Sequence, residues 1–303
     1  MLKPVKKNLP LLSPGHRACS GCGQLLAAKT VMEALGNQVI IANATGCLEV
    51  TTTPYPQSAW RVPWIHSTFE NAAAIGSGIV AALKQQKKDK KIKVVVQGGD
   101  GSTFDIGFGL ISGMWERGED ILYICYDNEA YANTGIQASG ATPWGANTTT
   151  TPAGGGTTLD AIGSHQHKKD MIAIALAHRL NYVAQTTTGY LADITAKVKK
   201  GLSVPGPAYI QILSPCVPGW RIKPDSAVKI GKLAAQTGLY PILEFENGKL
   251  TKAIKVPPKR PPVEEYLKLQ GRFAHLFKTE QGKKQIQYLQ QIADENIKRL
   301  GLA

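Results

Sequence analysis

Acidic side chains are scarce. Against 35 Lys and Arg the chain carries only 22 Asp and Glu, a formal charge of +13, which suits an acidic partner or an anionic ligand. Nucleic acid is not indicated, because the lysines are scattered or sit in short solvated runs such as Lys87 to Lys91, and no recognition-module motif accompanies them. No apolar run reaches the length of a membrane span, and the basic opening MLKPVKKNLPLLSPGH lacks the apolar stretch of a secretory signal. The expectation is a soluble, cytoplasmic protein with no membrane partner. Cysteine is also sparse, five in 303 residues. In a reducing cytosol that is no disulfide framework, and clustered thiols point to metal binding or redox chemistry. With 43% hydrophobic and 19% charged residues, the chain carries no disorder signature.

Internal repeats are absent, and strand and helix signals alternate. That pattern predicts an α/β fold with a mostly parallel sheet covered by helices on both faces. The periodicity predicts helices over 29–35, 72–84, 107–116, 171–179 and 191–200. Strands are expected over 38–42, 93–97, 121–126 and 208–213. Thr142 to Gly156, rich in Thr, Gly, Asn and Pro, reads as a functional or partner-covered loop. Composition shifts at PPKRPP, so residues 1–256 are expected to form the main domain. Residues 257–303 read as an extension or arm packing on a partner subunit, with too little apolar surface for a core of its own.

The strand Lys93 to Gln97 runs into Gly98-Gly99-Asp100-Gly101-Ser102 ahead of a helix. Glycines let the backbone approach a diphosphate, and the following helix start presents N–H donors. Asp100, at the carboxyl end of the strand, is placed to hold a divalent cation bridging the phosphates. Alone, GDG also reads as a turn with a capping Asp. The next strand, however, delivers Asp127-Asn128-Glu129-Ala130-Tyr131-Ala132-Asn133-Thr134-Gly135 to the same edge, where open α/β sheets bind ligands. Here the sequence resembles the thiamine diphosphate enzymes, whose signature is GDG, a spacer of fixed length and Asn. The resemblance implies Mg²⁺ ligands at Asp100, Asn128 and the Ala130 carbonyl. It also implies cofactor contacts from Gly99, Gly101, Ser102, Thr103, Tyr131, Asn133 and Thr134.

Cys19 and Cys22 form a CxxC in a glycine-containing loop, Cys47 follows a strand, and Cys216 follows the strand ending at Leu213. Four thiolates from separate loops meet the needs of zinc or of a cubane cluster, and spacing alone does not choose. Cys125, within an apolar strand, reads as buried and inert.

In combination, PGHRACSGCG, ATGCLEVTTTPYPQSAWRVPWIHSTFENAAA, GGDGSTFDIG, YDNEAYANTGIQASGATPWGA and YLKLQGRFAHLF resemble the beta subunit of the multi-subunit pyruvate:ferredoxin oxidoreductases over nearly the whole chain. The resemblance implies a [4Fe–4S] cluster on Cys19, Cys22, Cys47 and Cys216, with Gln24, Gly46 and Cys47 on the cofactor side. It implies oxidative decarboxylation of pyruvate with coenzyme A to acetyl-CoA and CO₂, electrons leaving through a thiamine radical and the cluster to ferredoxin. It further implies alpha, gamma and delta partner subunits, the activating Glu being on alpha, so that this chain alone is inactive. Rival readings are an oxalate or branched-chain 2-oxoacid oxidoreductase on the same scaffold, or a non-catalytic subunit holding an iron–sulfur cluster or zinc.

Other side chains carry weaker signals. His16 reads as near the cluster or structural, and His66 as facing the cleft or sitting in the core. His165 and His167 form an HxH without a third ligand nearby, so a solvated loop is expected. Trp60, Trp64 and Trp144 read as interface or core aromatics.

Overall fold

The computed structural model describes residues 9–154 and 162–303. The first eight residues of the basic opening stretch, and Gly155 and Gly156 at the end of the Thr142 to Gly156 loop, lie outside the described residues. Among the described residues there are eight strands: β1 (Val39–Asn43), β2 (Trp64–His66), β3 (Lys93–Gly99), β4 (Ile121–Asp127), β5 (Tyr182–Thr187), β6 (Ala208–Leu213), β7 (Leu243–Glu246) and β8 (Lys249–Ala253). They form one sheet in the order β2-β1-β3-β4-β6-β5-β7-β8. Strands β1 to β6 pair in parallel, and β7 and β8 join antiparallel at one edge.

The central strand ILYICYD is buried along its whole length, as a parallel strand must be when helices cover both faces. Successive side chains part to opposite faces. Leu122, Ile124 and Tyr126 pack with the helices Gly23–Leu35 and Leu191–Ser203. Tyr123 and Cys125 pack with Ala72–Gln85, Phe108–Glu116 and Met171–Ala177. Each large apolar side chain so buried contributes about 1.5–3 kcal/mol. Among the described residues no helix is long and apolar enough to cross a membrane.

The β7–β8 hairpin and β5 escape the periodicity reading. The hairpin has a local signal in Asn247-Gly248, both at positive φ (48° and 77°), the backbone that favours tight hairpin turns.

Residues 257–303 do not stand off as an arm. Val263, Tyr266, Leu267, Phe273, Leu276, Leu289 and Ala293 share one buried cluster with Leu213, Trp220 and Ile230 of the main body. Two of the helical segments are short and the last, Glu280–Leu300, is long but mostly polar, so none folds alone and the body supplies the missing partner surface. The composition break at 257 is therefore no break in the core.

The parallel strands deliver the loops that matter to one edge. Backbone bonds from Ala44 N to Gln97 O (2.9 Å) and from Ser214 N to Asp127 O (2.7 Å) zip neighbouring strand ends together. In this way Thr45–Cys47, Gly99–Asp100, Asp127–Asn128 and Pro215–Cys216 are brought side by side.

Candidate active site

The pairing of Gly99 with Tyr126 puts Asp100 beside Asp127 and Asn128. Asp100 is fully buried. Its carboxylate accepts the Asn128 N–H at 3.1 Å and the Ser139 hydroxyl at 2.6 Å. Burial first, and then the charge of Asp127, push its pKa up to about 8. One terminal atom of the Asn128 amide lies 3.2 Å from Asp100 Oδ1 and 2.8 Å from the Ala130 carbonyl oxygen. With nitrogen at that position the amide donates to both. Turned over, its oxygen takes that position between the oxygens of Asp100 and Ala130. Octahedral Mg²⁺ with bonds near 2.0–2.1 Å holds neighbouring oxygens roughly 2.9 Å apart, so this donor set fits such an ion.

A cavity of about 110 Å³ opens beside these oxygens. Of the candidate cofactor contacts, Gln24, Gly46, Cys47, Gly99, Asp100, Gly101, Asn128, Ala130, Tyr131, Asn133 and Thr134 all line it. Ser102 and Thr103 do not. Both are buried beneath it, and the Thr103 hydroxyl is turned to the Gly99 carbonyl (2.7 Å) and the Tyr123 hydroxyl (3.0 Å). A β-carbon on Gly101 would meet the Tyr131 ring at 2.4 Å, so only glycine lets that ring cover the turn. Among the described lining residues Asp100 is the sole carboxylate.

Cys19, Cys22, Cys47 and Cys216 line a second cavity of about 180 Å³. The sulfurs of Cys22 and Cys216 each accept a backbone N–H at 3.4 Å, from Leu25 in the first turn of the helix Gly23–Leu35 and from Gly219 in the short helix Val217–Trp220. Those donors favour thiolate, but burial outweighs them. Burial, then the neighbouring cysteines, raise Cys47 to about 12, and burial raises Cys216 to about 11 and Cys22 above its ordinary value. Such a set ionises together only around a compensating cation centre. Among the described residues no group of three or more His, Cys, Asp or Glu side chains is already gathered to hold a metal ion; the four cysteines share the lining of this cavity. Cys125 is fully buried in the sheet with its thiol held well above its ordinary pKa, first by burial.

Behind the Asn128 turn lies a charge network that sequence reading missed. Lys168 Nζ contacts Asp127 (2.5 Å) and Glu129 (2.8 Å), and Arg272 contacts Glu129 (2.5 Å). Burial drives Glu129 upward, yet the two cations together pull it below its ordinary value. Burial would strip Lys168 of its proton, but Asp127 and Glu129 hold it on. Lys168 follows His167 in a polar stretch that looks like loop, and Arg272 lies 143 positions from Glu129, so no local pattern announces the pairing.

The weaker signals also find places. His16 lines the groove outside the CxxC loop. His66 is exposed, its Nε2 at 2.7 Å from the hydroxyl of Thr45, which itself lines the first cavity. His165 is exposed, while His167 stacks on Trp144 and bonds Tyr288. Trp60 is buried and stacked on Trp64.

A family model described as thiamine pyrophosphate enzyme, C-terminal TPP binding domain, matches residues 44–212. Pyruvate synthase subunit PorB of Methanocaldococcus jannaschii is 51% identical over 96% of this chain and 96% of the relative. The PorB subunit of Thermotoga maritima is 43% identical over 95% of this chain and 90% of its own. The chain belongs to the 2-oxoacid:ferredoxin oxidoreductase beta-subunit family. Ketoisovalerate oxidoreductase subunit VorB of Pyrococcus abyssi, a beta subunit of different substrate name, is 44% identical over 94% of this chain and 91% of its own. A solved 2-oxoglutarate:ferredoxin oxidoreductase from Magnetococcus marinus, with 2-oxoglutarate, coenzyme A and succinyl-CoA bound, shares the fold. Its TM-score is 0.57 at 21% identity, over 76% of this chain and 82% of that one. This beta subunit is thus one component of a multi-subunit oxidoreductase, and its thiamine-binding domain holds the first cavity.

Proposed function

We propose that this beta subunit holds Mg²⁺–thiamine diphosphate in the first cavity and a [4Fe–4S] cluster in the second, and that its complex oxidises pyruvate with coenzyme A to acetyl-CoA and CO₂. The observation that carries the reading is a shared wall. Gln24, Cys47, Leu48, Asn128, Ala132 and Asn133 line both cavities, which supports a cofactor and cysteines within electron-transfer reach of each other. When bound, thiamine diphosphate supplies an electron sink for decarboxylation, and an iron–sulfur cluster accepts single electrons.

The chain's own residues bind and orient. Asp100, Asn128 and the Ala130 carbonyl hold the cation, and Gly99 and Gly101 leave the backbone open to the diphosphate. Asn133 and Thr134 offer polar groups at the same rim. No Glu lines the cavity among the described residues, which supports an activating carboxylate supplied by the alpha subunit. The gamma and delta subunits, with ferredoxin, complete the electron path. The net charge of +13 suits an acidic ferredoxin. The outward face of residues 257–303 is assigned to a subunit contact.

Pyruvate is favoured because the PorB relative at 51% exceeds the VorB relative at 44%. A zinc site on the same four cysteines is the competing reading, and metal analysis separates the two. The test is cofactor and metal analysis of the anaerobically purified complex, followed by turnover on pyruvate, 2-oxoisovalerate and oxalate. Iron, sulfide and thiamine diphosphate in the complex and acetyl-CoA formed from pyruvate alone are expected. Colourless protein with stoichiometric zinc, or preference for another acid, refutes it.

A further inference from the structure

We propose that the cysteine-bearing turn and the cation-binding turn are thermodynamically coupled through Trp220, so that filling either site tightens the other. The inference rests on the proposed contents of the two sites.

The coupling starts from backbone bookkeeping. Glu129 sits at φ +64°, a conformation a non-glycine residue keeps only where its surroundings impose it. Here they do. The Asn128 N–H goes to Asp100, the Glu129 N–H to Asp127 Oδ1 (3.2 Å), and the Glu129 carbonyl accepts the Thr142 hydroxyl (2.8 Å). The Asn128 carbonyl accepts the indole N–H of Trp220 at 2.7 Å. With these groups engaged, the Ala130 carbonyl is met, among the described residues, only by the Asn128 amide at 2.8 Å, and turning that amide over frees it for the cation.

Trp220 belongs to the other site. It ends the short helix Val217–Trp220, which begins directly after Cys216. The Trp220 N–H bonds back to the Cys216 carbonyl at 2.8 Å, and the Cys216 sulfur accepts the Gly219 N–H. The turn is therefore one closed unit, and moving the sulfur moves the indole. Arg272 adds a second strut: its guanidinium lies 3.8 Å from the Trp220 ring centroid and pairs with Glu129. Both residues of the strained turn are thus gripped by groups seated on the indole, which is 1% exposed and has no room to swing.

The test uses the intact complex. Mg²⁺–thiamine diphosphate affinity is measured by calorimetric titration before and after anaerobic chelation of the iron. Stripping is expected to weaken binding roughly tenfold. By reciprocity, saturating cofactor should raise the chelator concentration that removes half the iron, read from the visible absorbance. Trp220→Phe keeps the ring and deletes the donor, and should bring the stripping effect to within about twofold. Unchanged wild-type affinity on stripping overturns the proposal. So does a Trp220→Phe loss that is equal with and without iron, which would make Trp220 a mere structural prop. Should that variant not fold, the two wild-type measurements decide on their own. Absence of iron and sulfide from the native complex overturns the underlying reading and the coupling together, a result distinct from iron present without linkage.

Discussion

Replacing Asp100 by Asn separates two consequences of one buried carboxylate. Without a cation, burial and Asp127 raise Asp100 from the ordinary 3.8 to about 8. At pH 7 the folded group is then largely protonated while the unfolded one is ionised, and at 1.36 kcal/mol per pKa unit that mismatch costs several kcal/mol as an order of magnitude. Part of that cost belongs to the coupled Asp127, so an uncharged amide should recover about 1–3 kcal/mol in the cation-free protein. The hydrogen bonds survive: the amide oxygen still accepts the Asn128 N–H, and its NH₂ can donate to the Ser139 hydroxyl oxygen. The sign with pH follows. A group whose folded pKa lies above its unfolded one destabilises the fold as pH rises, so the cation-free wild type loses stability between about pH 4 and 8, and the variant should show a flatter profile. Cofactor binding should move the opposite way. Loss of a buried charged ligand costs about 3–5 kcal/mol, on the order of a hundredfold to several thousandfold in affinity. The assay is thermal unfolding of the complex from pH 6 to 8 in chelator, alongside titration with Mg²⁺ and thiamine diphosphate. An Asn variant that is less stable than wild type without cation, or that binds the cofactor within threefold of wild type, would refute the reasoning.

The cysteines should sort into two classes. Cys19→Ser should lower iron and sulfide content at little cost to stability, because Cys19 is exposed, whereas Cys125→Ser should leave iron unchanged and cost about 1–3 kcal/mol for a hydroxyl in the apolar sheet; metal analysis and denaturant titration check both. Gly101→Ala drives a methyl to 2.4 Å from the Tyr131 ring and should weaken thiamine diphosphate binding roughly tenfold with a stability loss of about 1–3 kcal/mol. Adding Tyr131→Ala should restore stability, and a failure to do so shows that the ring is not the obstacle. Burial holds His275 below its ordinary pKa although it bonds the Ile162 carbonyl. Its folded pKa being depressed, its contribution is present above about pH 6.5 and lost as pH falls through the folded value. Melting temperatures at pH 7 and pH 5 should therefore differ less in His275→Gln than in wild type.

What was legible in the amino-acid order was local. A strand ending in Gly98-Gly99-Asp100-Gly101, a second ending in Asp127-Asn128, and an apolar run with no polar break each carry their meaning within about ten residues. Pattern and turn chemistry act on that scale. From those pieces came the parallel sheet, the loops at its carboxyl edge and the four candidate thiols. The hairpin turn at Asn247-Gly248 is likewise local, an Asn-Gly pair at positive φ.

Long-range geometry had no such signature. That Lys168 would leave a polar stretch to lie between Asp127 and Glu129, that Arg272 would cross 143 positions to meet Glu129, and that residues after 257 would close on the chain's own core were decided by topology. An isolated lysine or arginine is soluble in any loop. Only the assembled sheet creates the buried carboxylates that make its desolvation worthwhile, and hence fix where it must go. The sequence determined which atoms are candidates to grip a cation, a diphosphate and a cluster; the tertiary fold determined that the two cavities share one wall, and that Trp220 joins the Cys216 turn to the Asn128 turn.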